Sequence, residues 1–304
     1  MNPSLAVTMQ LDALRFPLIC SPKIDAVRGW APYGRILGRS MEPPANKRIQ
    51  ALFNSPLLAG CDGELCAGEP WHDSACRVTT SVINSINGAD DVMWHLFDYI
   101  NRKTFFLGYA HRLEELHSFL IGVQDEPFAR HLTYVPTEWA YNLEQLLEIE
   151  RRYTDIGYEG LIARSPDSMY RPGRATISNQ AYLRLKRFED REGEVVRLLE
   201  GTNNNNQLTY DARGYAKRST HAENMVPSGK VGSLVLRDLK DNKLVTVSRG
   251  KLTAAECERY WKAPELIVGS IATYRIFPRG SVNLPRHPTL QNIRSRFDLD
   301  RSAQ

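Results

Sequence analysis

A lysine, an aspartate and an arginine stand close together near the start of the chain, at Lys23, Asp25 and Arg28. The stretch 18–27 is typical of a strand that leads into a turn. Residues two apart on a strand share one face, so the Lys23 amine and the Asp25 carboxylate would lie side by side. A lysine acts as a nucleophile when burial or nearby cations lower the pKa of its amine. Taken alone, the cluster is better explained as a group of surface ion pairs.

Further charged and aromatic residues follow in short motifs at wide intervals. These motifs are Arg39-Ser40, Asp62-Gly63-Glu64, Phe97-Asp98, Glu159-Gly160 and Tyr182-Leu183-Arg184-Leu185-Lys186. Each motif has an ordinary structural explanation when it is taken singly. Asp62-Gly63 is typical of a hairpin turn, Phe97 is typical of a core position, and Glu159 is typical of a surface carboxylate. Their joint occurrence in this order is what indicates a function.

The whole series, from about residue 14 to residue 294, resembles the covalent nucleotidyltransferase superfamily. That superfamily comprises ATP-dependent DNA ligases, RNA ligases and mRNA capping enzymes. The resemblance is strongest to the small two-domain, bacteriophage-type ATP-dependent DNA ligases. The segments that carry this subgroup resemblance are Arg15-Phe16-Pro17-Leu18, Ser21-Pro22-Lys23, Arg184-Leu185-Lys186-Arg187-Phe188-Glu189-Asp190, Gly229-Lys230-Val231-Gly232-Ser233-Leu234 and Arg286-His287-Pro288.

The resemblance implies that the protein seals nicks in duplex DNA. A lysine attacks the α-phosphate of ATP, the AMP passes to the 5′-phosphate of a nick, and the 3′-hydroxyl then displaces AMP. By resemblance, Lys23 is the nucleophile. Arg184 and Lys186 match the positions that face the α-phosphate and the pyrophosphate, where cations offset the developing charge. Glu159 matches the carboxylate that holds a divalent metal, Mg²⁺ or Mn²⁺.

The resemblance also assigns residues to the nucleotide and to the nick. Arg28 and Glu64 match ribose-contacting positions, and Phe97 matches the aromatic residue that stacks on adenine. Ser21 and Pro22 belong to the same nucleotide-binding group. Asp25 is expected to orient the reaction or to lie on the phosphate side. Arg39, with Ser40 beside it, matches an arginine near the 5′-phosphate of the nick.

Three positions depart from the pattern of the family. Ala26 stands where the family has glycine, which predicts a shifted turn rather than a loss of function. Ser21 stands where many cellular DNA ligases have an acidic residue near the adenine, so discrimination between bases is less secure. Arg184 stands where lysine is more common, and it replaces a point charge by a planar fork.

Length and composition set the frame for these motifs. The chain has 304 residues, which predicts two domains, with 42% hydrophobic and 24% charged residues and a net charge of +4. No apolar run approaches the ~18 residues that a membrane span needs, and no signal peptide is evident. The cysteine spacings match no zinc template, so we expect reduced thiols in a cytoplasmic protein. The predicted class is α+β, with an adenylation domain of antiparallel sheets and helices at 1–189 and an OB-fold barrel at 190–304.

The last third of the chain is more basic than the rest. Residues 266–297 contain no acidic residue, and short strands with one helix after residue 191 predict a small barrel of the OB type. A basic face on such a barrel is expected to bind the phosphate backbone of DNA without sequence preference. The candidates for that contact are Lys230, Arg237, Arg249, Lys251 and Arg279. The asparagine-rich stretch 201–228 predicts a surface loop or a disordered insertion, and it is a candidate for closing around the duplex.

Two alternatives stay open at this point. One is an RNA ligase or a GTP-dependent capping-type nucleotidyltransferase. The other is a catalytically silent relative that binds nucleic acid, against which the retained Lys23, Glu64, Glu159 and Lys186 argue. The expected partner is nicked double-stranded DNA, the mechanism needs only a monomer, and no membrane is implied. A bacteriophage origin would put the protein in the host cytoplasm, in DNA replication or repair.

Overall fold

The computed structural model describes residues 2–277 and 284–294 and divides the chain into two compact units, residues 1–186 and 187–304. Unit 1 contains two main sheets with helices packed on them. Its strands are β1 (Ser4–Leu5), β2 (Val7–Thr8), β3 (Leu18–Pro22), β4 (Val27–Trp30), β5 (Cys61–Cys66), β6 (Met93–Tyr99), β7 (Leu132–Tyr134), β8 (Glu138–Ala140), β9 (Gly160–Arg164), β10 (Gly173–Arg174) and β11 (Leu183–Lys186). Its helices are α1 (Lys47–Leu52), α2 (Ala75–Asn84), α3 (Tyr109–Gly122) and α4 (Leu143–Ile156).

The first sheet of unit 1 has the order β2-β11-β9-β3-β8, and the second has the order β4-β5-β6-β7. Helix α4 lies against the first sheet, where Leu146, Ile149 and Tyr153 form a core with buried strand residues. Asn142 caps the start of α4 by accepting from the N–H of Gln145, and Gly157 ends the helix in the left-handed region. Helix α3 packs on β6 of the second sheet.

Two local features of the second sheet, a glycine in β5 and a bulge in β6, affect how its side chains are oriented. Gly63 lies in mid-strand, and a Cβ there would lie 2.3 Å from the carbonyl oxygen of His95 on β6. Glycine therefore permits the close approach of β5 and β6. Asp62 pairs with Asp98, and Gly63 pairs with Leu96, so Phe97 is an extra residue in a β-bulge. A bulge of this kind redirects a side chain.

Unit 2 is a closed five-stranded barrel with the order β12-β15-β16-β18-β17. Its elements are β12 (Glu189–Asn204), β13 (Leu208–Tyr210), β14 (Ala216–Arg218), β15 (Met225–Asp238), β16 (Leu244–Ser248), α5 (Ala254–Lys262), β17 (Ile271–Phe277) and β18 (Arg286–Ile293). Thr253 and Glu256 form a capping box at the start of α5, and Cys257 of this helix joins the barrel core. Unit 2 and the mixed sheets of unit 1 confirm the predicted α+β class with an OB-type barrel.

The structure corrects several sequence-based expectations about local elements. The sequence pattern predicts a short strand over 35–38, but only Arg35 and Leu37 form isolated bridges there. Asp62-Gly63 lies within the single strand β5 rather than in a hairpin turn, because Gly63 permits the close approach of β6. The apolar spacing over 139–153 predicts a helix, but α4 begins only at Leu143, because Trp139 belongs to β8. The sequence also predicts strands over 93–100 and 160–164 and a helix over 112–123, and these are confirmed within a few residues.

The stretch 201–228 is an ordered β-ribbon and not a disordered insertion. Strands β12 and β15 pair as far as Asn204 and Met225, and β13 and β14 form a hairpin beyond them. Asn206 holds the base of this hairpin, because its side-chain amide donates to the carbonyls of Ser219 and His221 at 2.9 Å. The asparagines thus supply hydrogen bonds to a tight structure.

Candidate active site

A cleft in unit 1 brings residues of both sheets together. Concave clefts with a few polar groups are the usual form of small-molecule sites. The residues that line it are Ser4, Leu5, Ala6, Ser21, Pro22, Lys23, Ile24, Arg28, Arg39, Glu64, Phe97, Val135, Ile162, Tyr182 and Arg184. Eight of the residues proposed from the sequence are therefore in one place.

Lys23 follows directly after β3 and is mostly buried, with 19% of its side chain exposed. Its ammonium forms an ion pair with one carboxylate oxygen of Glu159. The ammonium of Lys186 forms an ion pair with the other oxygen. Two backbone hydrogen bonds fix the pair, from the Lys23 N–H to the Gly160 carbonyl at 2.9 Å and from the Glu159 N–H to the Lys23 carbonyl at 3.1 Å. One carboxylate thus holds two lysines at the cleft.

The charges of this trio are set by opposing effects. Burial acts to lower the pKa of Lys23, but Glu159, with help from Glu64 and Asp25, outweighs it and raises the pKa above the ordinary value. Burial acts to raise the pKa of Glu159, but the two lysines hold it below its usual range. Burial lowers the pKa of Lys186 despite Glu159. The expectation of a depressed Lys23 pKa is therefore wrong for the cleft as it stands, because Glu159 stabilises the ammonium.

Arg28 is fixed by Asp62 on the neighbouring strand. Its guanidinium donates two hydrogen bonds to the Asp62 carboxylate, at 2.6 and 2.7 Å. The same guanidinium lies 4.6 Å from the ring centroid of Phe97 and donates to the hydroxyl of Tyr182 at 3.3 Å. Bidentate pairing and stacking together hold the arginine in one orientation. Arg28 and Phe97 are thus positioned as one unit at the cleft wall.

Glu64 lies opposite Arg28 in the register of β4 and β5. Burial raises its pKa to about 7, since it outweighs the opposing effects of Arg28 and Lys23. The cleft therefore contains a carboxyl group, Glu64, that titrates near neutral pH, whereas Glu159, which holds Lys23, stays ionised. Two carboxyl groups with different protonation behaviour are typical of functional sites.

Four of the residues proposed for unit 1 are not among those that line the cleft: Asp25, Ser40, Glu159 and Lys186. Glu159 and Lys186 are nevertheless held next to Lys23, which does line it. Asp25 nevertheless acts on Lys23, because its charge contributes to the raised pKa of that amine. Ser40 is exposed in the turn that carries Arg39.

Of the residues proposed for DNA contact in unit 2, Arg237, Arg249 and Lys251 are exposed. Lys230 is half-buried and forms an ion pair with Glu258 on α5 at 3.6 Å. Arg279 lies outside the residues that the structure describes.

Sequence reasoning missed part of the cleft. Ser4, Leu5 and Ala6 line it because β1 pairs with β10 and β2 pairs with β11, far along the chain. No motif marks these three residues. Tyr182 opens the motif that contains Arg184, and Ile162 follows Glu159-Gly160 in the chain, so these positions were the available signal.

The carboxylates near Lys23 could hold a magnesium ion only together with water and phosphate oxygens. Within residues 2–277 and 284–294, no group of three His, Cys, Asp or Glu side chains could hold a metal. Mg²⁺, however, keeps several waters and needs one or two carboxylates together with phosphate oxygens. Both oxygens of Glu159 are engaged by lysines, so a metal there would have to displace one ammonium. The donor set therefore suits an ion held chiefly by water and by a phosphorylated ligand.

None of the five cysteines forms a disulfide. Among the described residues, no helix is both long and apolar enough to cross a membrane.

The architecture, with a two-sheet unit of this kind followed by an OB-type barrel, is the fold of ATP-dependent DNA ligases. A Lig E DNA ligase matches with a TM-score of 0.70 and 18% identity, over 97% of this chain and 99% of that chain. The Chlorella virus DNA ligase-adenylate matches with a TM-score of 0.55 and 22% identity, over 97% and 99%. The bacteriophage T7 ATP-dependent DNA ligase in complex with ATP matches with a TM-score of 0.50 and 16% identity, over 96% and 98%. Neither a scan against protein-family models nor a search of curated proteins gives a match.

Proposed function

We propose that this protein is an ATP-dependent DNA ligase that seals nicks in duplex DNA through a covalent lysyl-AMP intermediate. The observation that carries the proposal is Lys23, held with Lys186 by a single carboxylate at a cleft lined by polar and aromatic side chains. A nucleophilic lysine, nearby cations and a carboxylate are the groups that transfer of a nucleotidyl group requires. The shared fold with a ligase-adenylate and with a ligase in complex with ATP supports it.

Lys23 supplies the nucleophile of the first step. Its Nζ must leave Glu159 and lose a proton before it can attack the α-phosphorus of ATP. A phosphorus–nitrogen bond then forms, the bond to the bridging oxygen breaks, and pyrophosphate leaves. Arg184 lines the cleft and Lys186 lies beside Lys23 at Glu159, so both can offset charge on the phosphates. Glu159 would hold Mg²⁺, which neutralises phosphate charge when it is bound.

The remaining residues of the cleft bind the nucleotide. We assign the ribose to Arg28 and Glu64 and the adenine to Phe97, with Ser21 and Pro22 on the strand that leads to Lys23. Glu64 has the polar oxygens and Arg28 the donors that a sugar hydroxyl needs. Phe97 offers an apolar ring at the cleft wall. Asp25, whose charge adds to the raised pKa of Lys23, is assigned an orienting or phosphate-side role.

The nicked duplex is bound by cations of both units. We assign Arg39 and Ser40 to the 5′-phosphate, and Lys230, Arg237, Arg249, Lys251 and Arg279 to the backbone. The hairpin of β13 and β14 adds exposed Tyr210 and Tyr215 beside Lys217 and is suited to contact a duplex with aromatic and cationic groups. A monomer suffices for these contacts. Cysteines that form no disulfide are compatible with a reducing compartment. We assign the protein to the host cytoplasm as a bacteriophage-type enzyme of DNA replication or repair.

The test is covalent labelling with α-labelled ATP and magnesium, followed by denaturing electrophoresis. We expect a label with ATP and not with GTP, its loss in Lys23→Ala, and its discharge by nicked duplex DNA with a sealed product. Lys103→Ala is the matched control, because Lys103 is an exposed lysine of the same unit that does not line the cleft.

Other outcomes identify the alternatives. A label with GTP alone would indicate a capping-type enzyme, and sealing of RNA ends alone would indicate an RNA ligase. Before an absent label is accepted, intact mass and pyrophosphate treatment must exclude protein that is already adenylated. An absent label after that control would overturn the proposal in favour of a nucleic-acid-binding relative.

A further inference from the structure

Asp98 lies behind the cleft wall and is completely buried. It follows Phe97 in β6, directly after the bulge. Two buried arginines converge on its carboxylate. Arg112 donates to its two oxygens at 2.7 and 3.1 Å, and Arg164 donates at 2.5 Å. None of these three residues lines the cleft.

Arg164, one of these two arginines, packs against aromatic rings that line the cleft. Its guanidinium carbon lies 3.9 Å from the ring centroid of Tyr182 and 5.1 Å from that of Phe97. Both rings line the cleft, and they contact each other at a centroid distance of 6.0 Å. The Nε of Arg164 is buried with no hydrogen-bond partner among the described residues. Asp98 and the ring faces therefore hold this guanidinium in place.

Arg112, the second arginine on Asp98, contacts backbone groups outside the cleft. Its Nη1 donates to the carbonyls of Leu107 and Ser168, at 2.8 and 2.9 Å. These two carbonyls belong to loops after β6 and after β9. Arg112 thus joins two loops, and neither of them contributes a residue to the cleft lining. Arg112 and Arg164 therefore share the carboxylate of Asp98. Arg164 contacts rings that line the cleft, whereas Arg112 contacts two loops outside it.

We propose that Arg164, held by Asp98, is a positioning residue for the nucleotide. It sets the planes of the Phe97 and Tyr182 rings, and thereby determines how tightly ATP is bound rather than how fast the bound ATP reacts. This inference rests on the proposed function, because it assumes that the cleft takes a nucleotide. A planar guanidinium between an anchoring carboxylate and two π faces is suited to the task, since it fixes orientation as well as position.

The test replaces each arginine by lysine and titrates Mg²⁺-ATP. Lysine keeps the charge that Asp98 requires but loses the plane that lies on the rings. We expect Arg164→Lys to raise the KM for ATP in Lys23 labelling by roughly five- to tenfold, with the maximal labelling rate within about twofold. Arg112→Lys is the matched control, because it alters the same buried carboxylate but should leave the KM unchanged. Asp98→Asn should raise the KM as Arg164→Lys does.

Several outcomes would overturn the inference. Equal KM values for Arg164→Lys and wild type would do so, as would equal increases in the two arginine variants, which would indicate a general loss of structure. Circular dichroism checks folding, and Arg164→Met replaces Arg164→Lys if the latter does not fold.

Equilibrium binding of ATP to each variant separates this inference from the proposed function. A wild-type protein that binds ATP but forms no adenylate refutes the ligase, and the dissociation constants of the variants then decide the positioning role. A protein that neither binds nor reacts with ATP overturns both.

Discussion

Lys23 and Glu159 are paired twice, once through an ion pair of their side chains and once through a backbone hydrogen bond of 3.1 Å from Glu159 to Lys23. They are 136 residues apart in the chain. The backbone contact fixes the carboxylate beside the amine, so the amine is charged for as long as the carboxylate stays there. Reactivity of Lys23 is thereby made conditional on whatever draws Glu159 away.

The first prediction concerns the charge of Lys23. Glu159→Gln removes the carboxylate that outweighs burial, so the pKa of Lys23 should fall below its ordinary value. Competitive labelling of amines with acetic anhydride across pH, read by mass spectrometry, measures this. We expect the half-reaction pH of Lys23 to fall by roughly one to two units, with that of exposed Lys103 unchanged. An unmoved midpoint for Lys23 would contradict the assigned role of Glu159.

The second prediction concerns Glu64. Its raised folded-state pKa of about 7 means that ionising it in the folded protein is costly. The protonated Glu64 side chain therefore contributes stability to the fold. That contribution is fully present below the pKa of Glu64 in the unfolded chain and is lost as the pH rises through 7. Glutamine at this position does not titrate. The unfolding free energy of Glu64→Gln, relative to that of wild type, should therefore rise by on the order of 1 to 3 kcal/mol between pH 4.5 and pH 8. Urea unfolding at several pH values measures the difference, and a gap that is constant with pH would refute it.

The third prediction concerns the glycine next to Glu159. Gly160 has a φ of +152°, and a Cβ there would lie 2.2 Å from the carbonyl oxygen of Leu185. Gly160→Ala should therefore cost more than about 2 kcal/mol of unfolding free energy and shift Glu159 from Lys23. Gly122→Ala is the control, since nothing lies within 4 Å of a Cβ there and it ends helix α3. Equal stabilities of the two variants in urea would contradict the argument.

The fourth prediction concerns the hairpin of β13 and β14. Replacing residues 208–218 by a short Gly-Ser linker removes two exposed tyrosines and three basic residues. We expect affinity for nicked duplex DNA to fall about tenfold and the salt dependence to weaken, because fewer counterions are released. Self-labelling with ATP should be unchanged. The double variant Arg151→Ala, Arg152→Ala removes exposed cations of α4 and should bind as wild type does; unchanged affinity after the hairpin replacement would refute the assignment.

The parts of the fold and site that were predictable are those with local signals. Helix α3 and strands β6 and β9 follow from periodicity and composition, and Lys23, Glu64 and Phe97 follow from motifs in order. Pairings over long sequence separations were not predictable. The strands at 4–5 and 7–8 are two residues long, and only their partners near the end of unit 1 make them part of the cleft.

Contacts between side chains that are distant in the sequence were also not predictable. Asp98 was recognised only as the neighbour of Phe97, because nothing in its spacing from Arg112 or Arg164 indicates a shared contact. The Asn203–Asn206 run suggested disorder by its composition, yet tertiary hydrogen bonds of Asn206 order the ribbon. The pKa of Lys23 depends on a carboxylate that the linear sequence cannot put beside it.

The ribbon of β12 and β15 has a consequence for how this protein can vary. Both strands run from the barrel wall to the hairpin, so the reach of the hairpin is measured in strand residues, at about 3.4 Å each. The register of the two strands is already interrupted at three places between Val195 and Thr202, so this ribbon accommodates unmatched residues as bulges. Lengthening both strands would therefore change the span of the hairpin while the residues at its tip stayed the same.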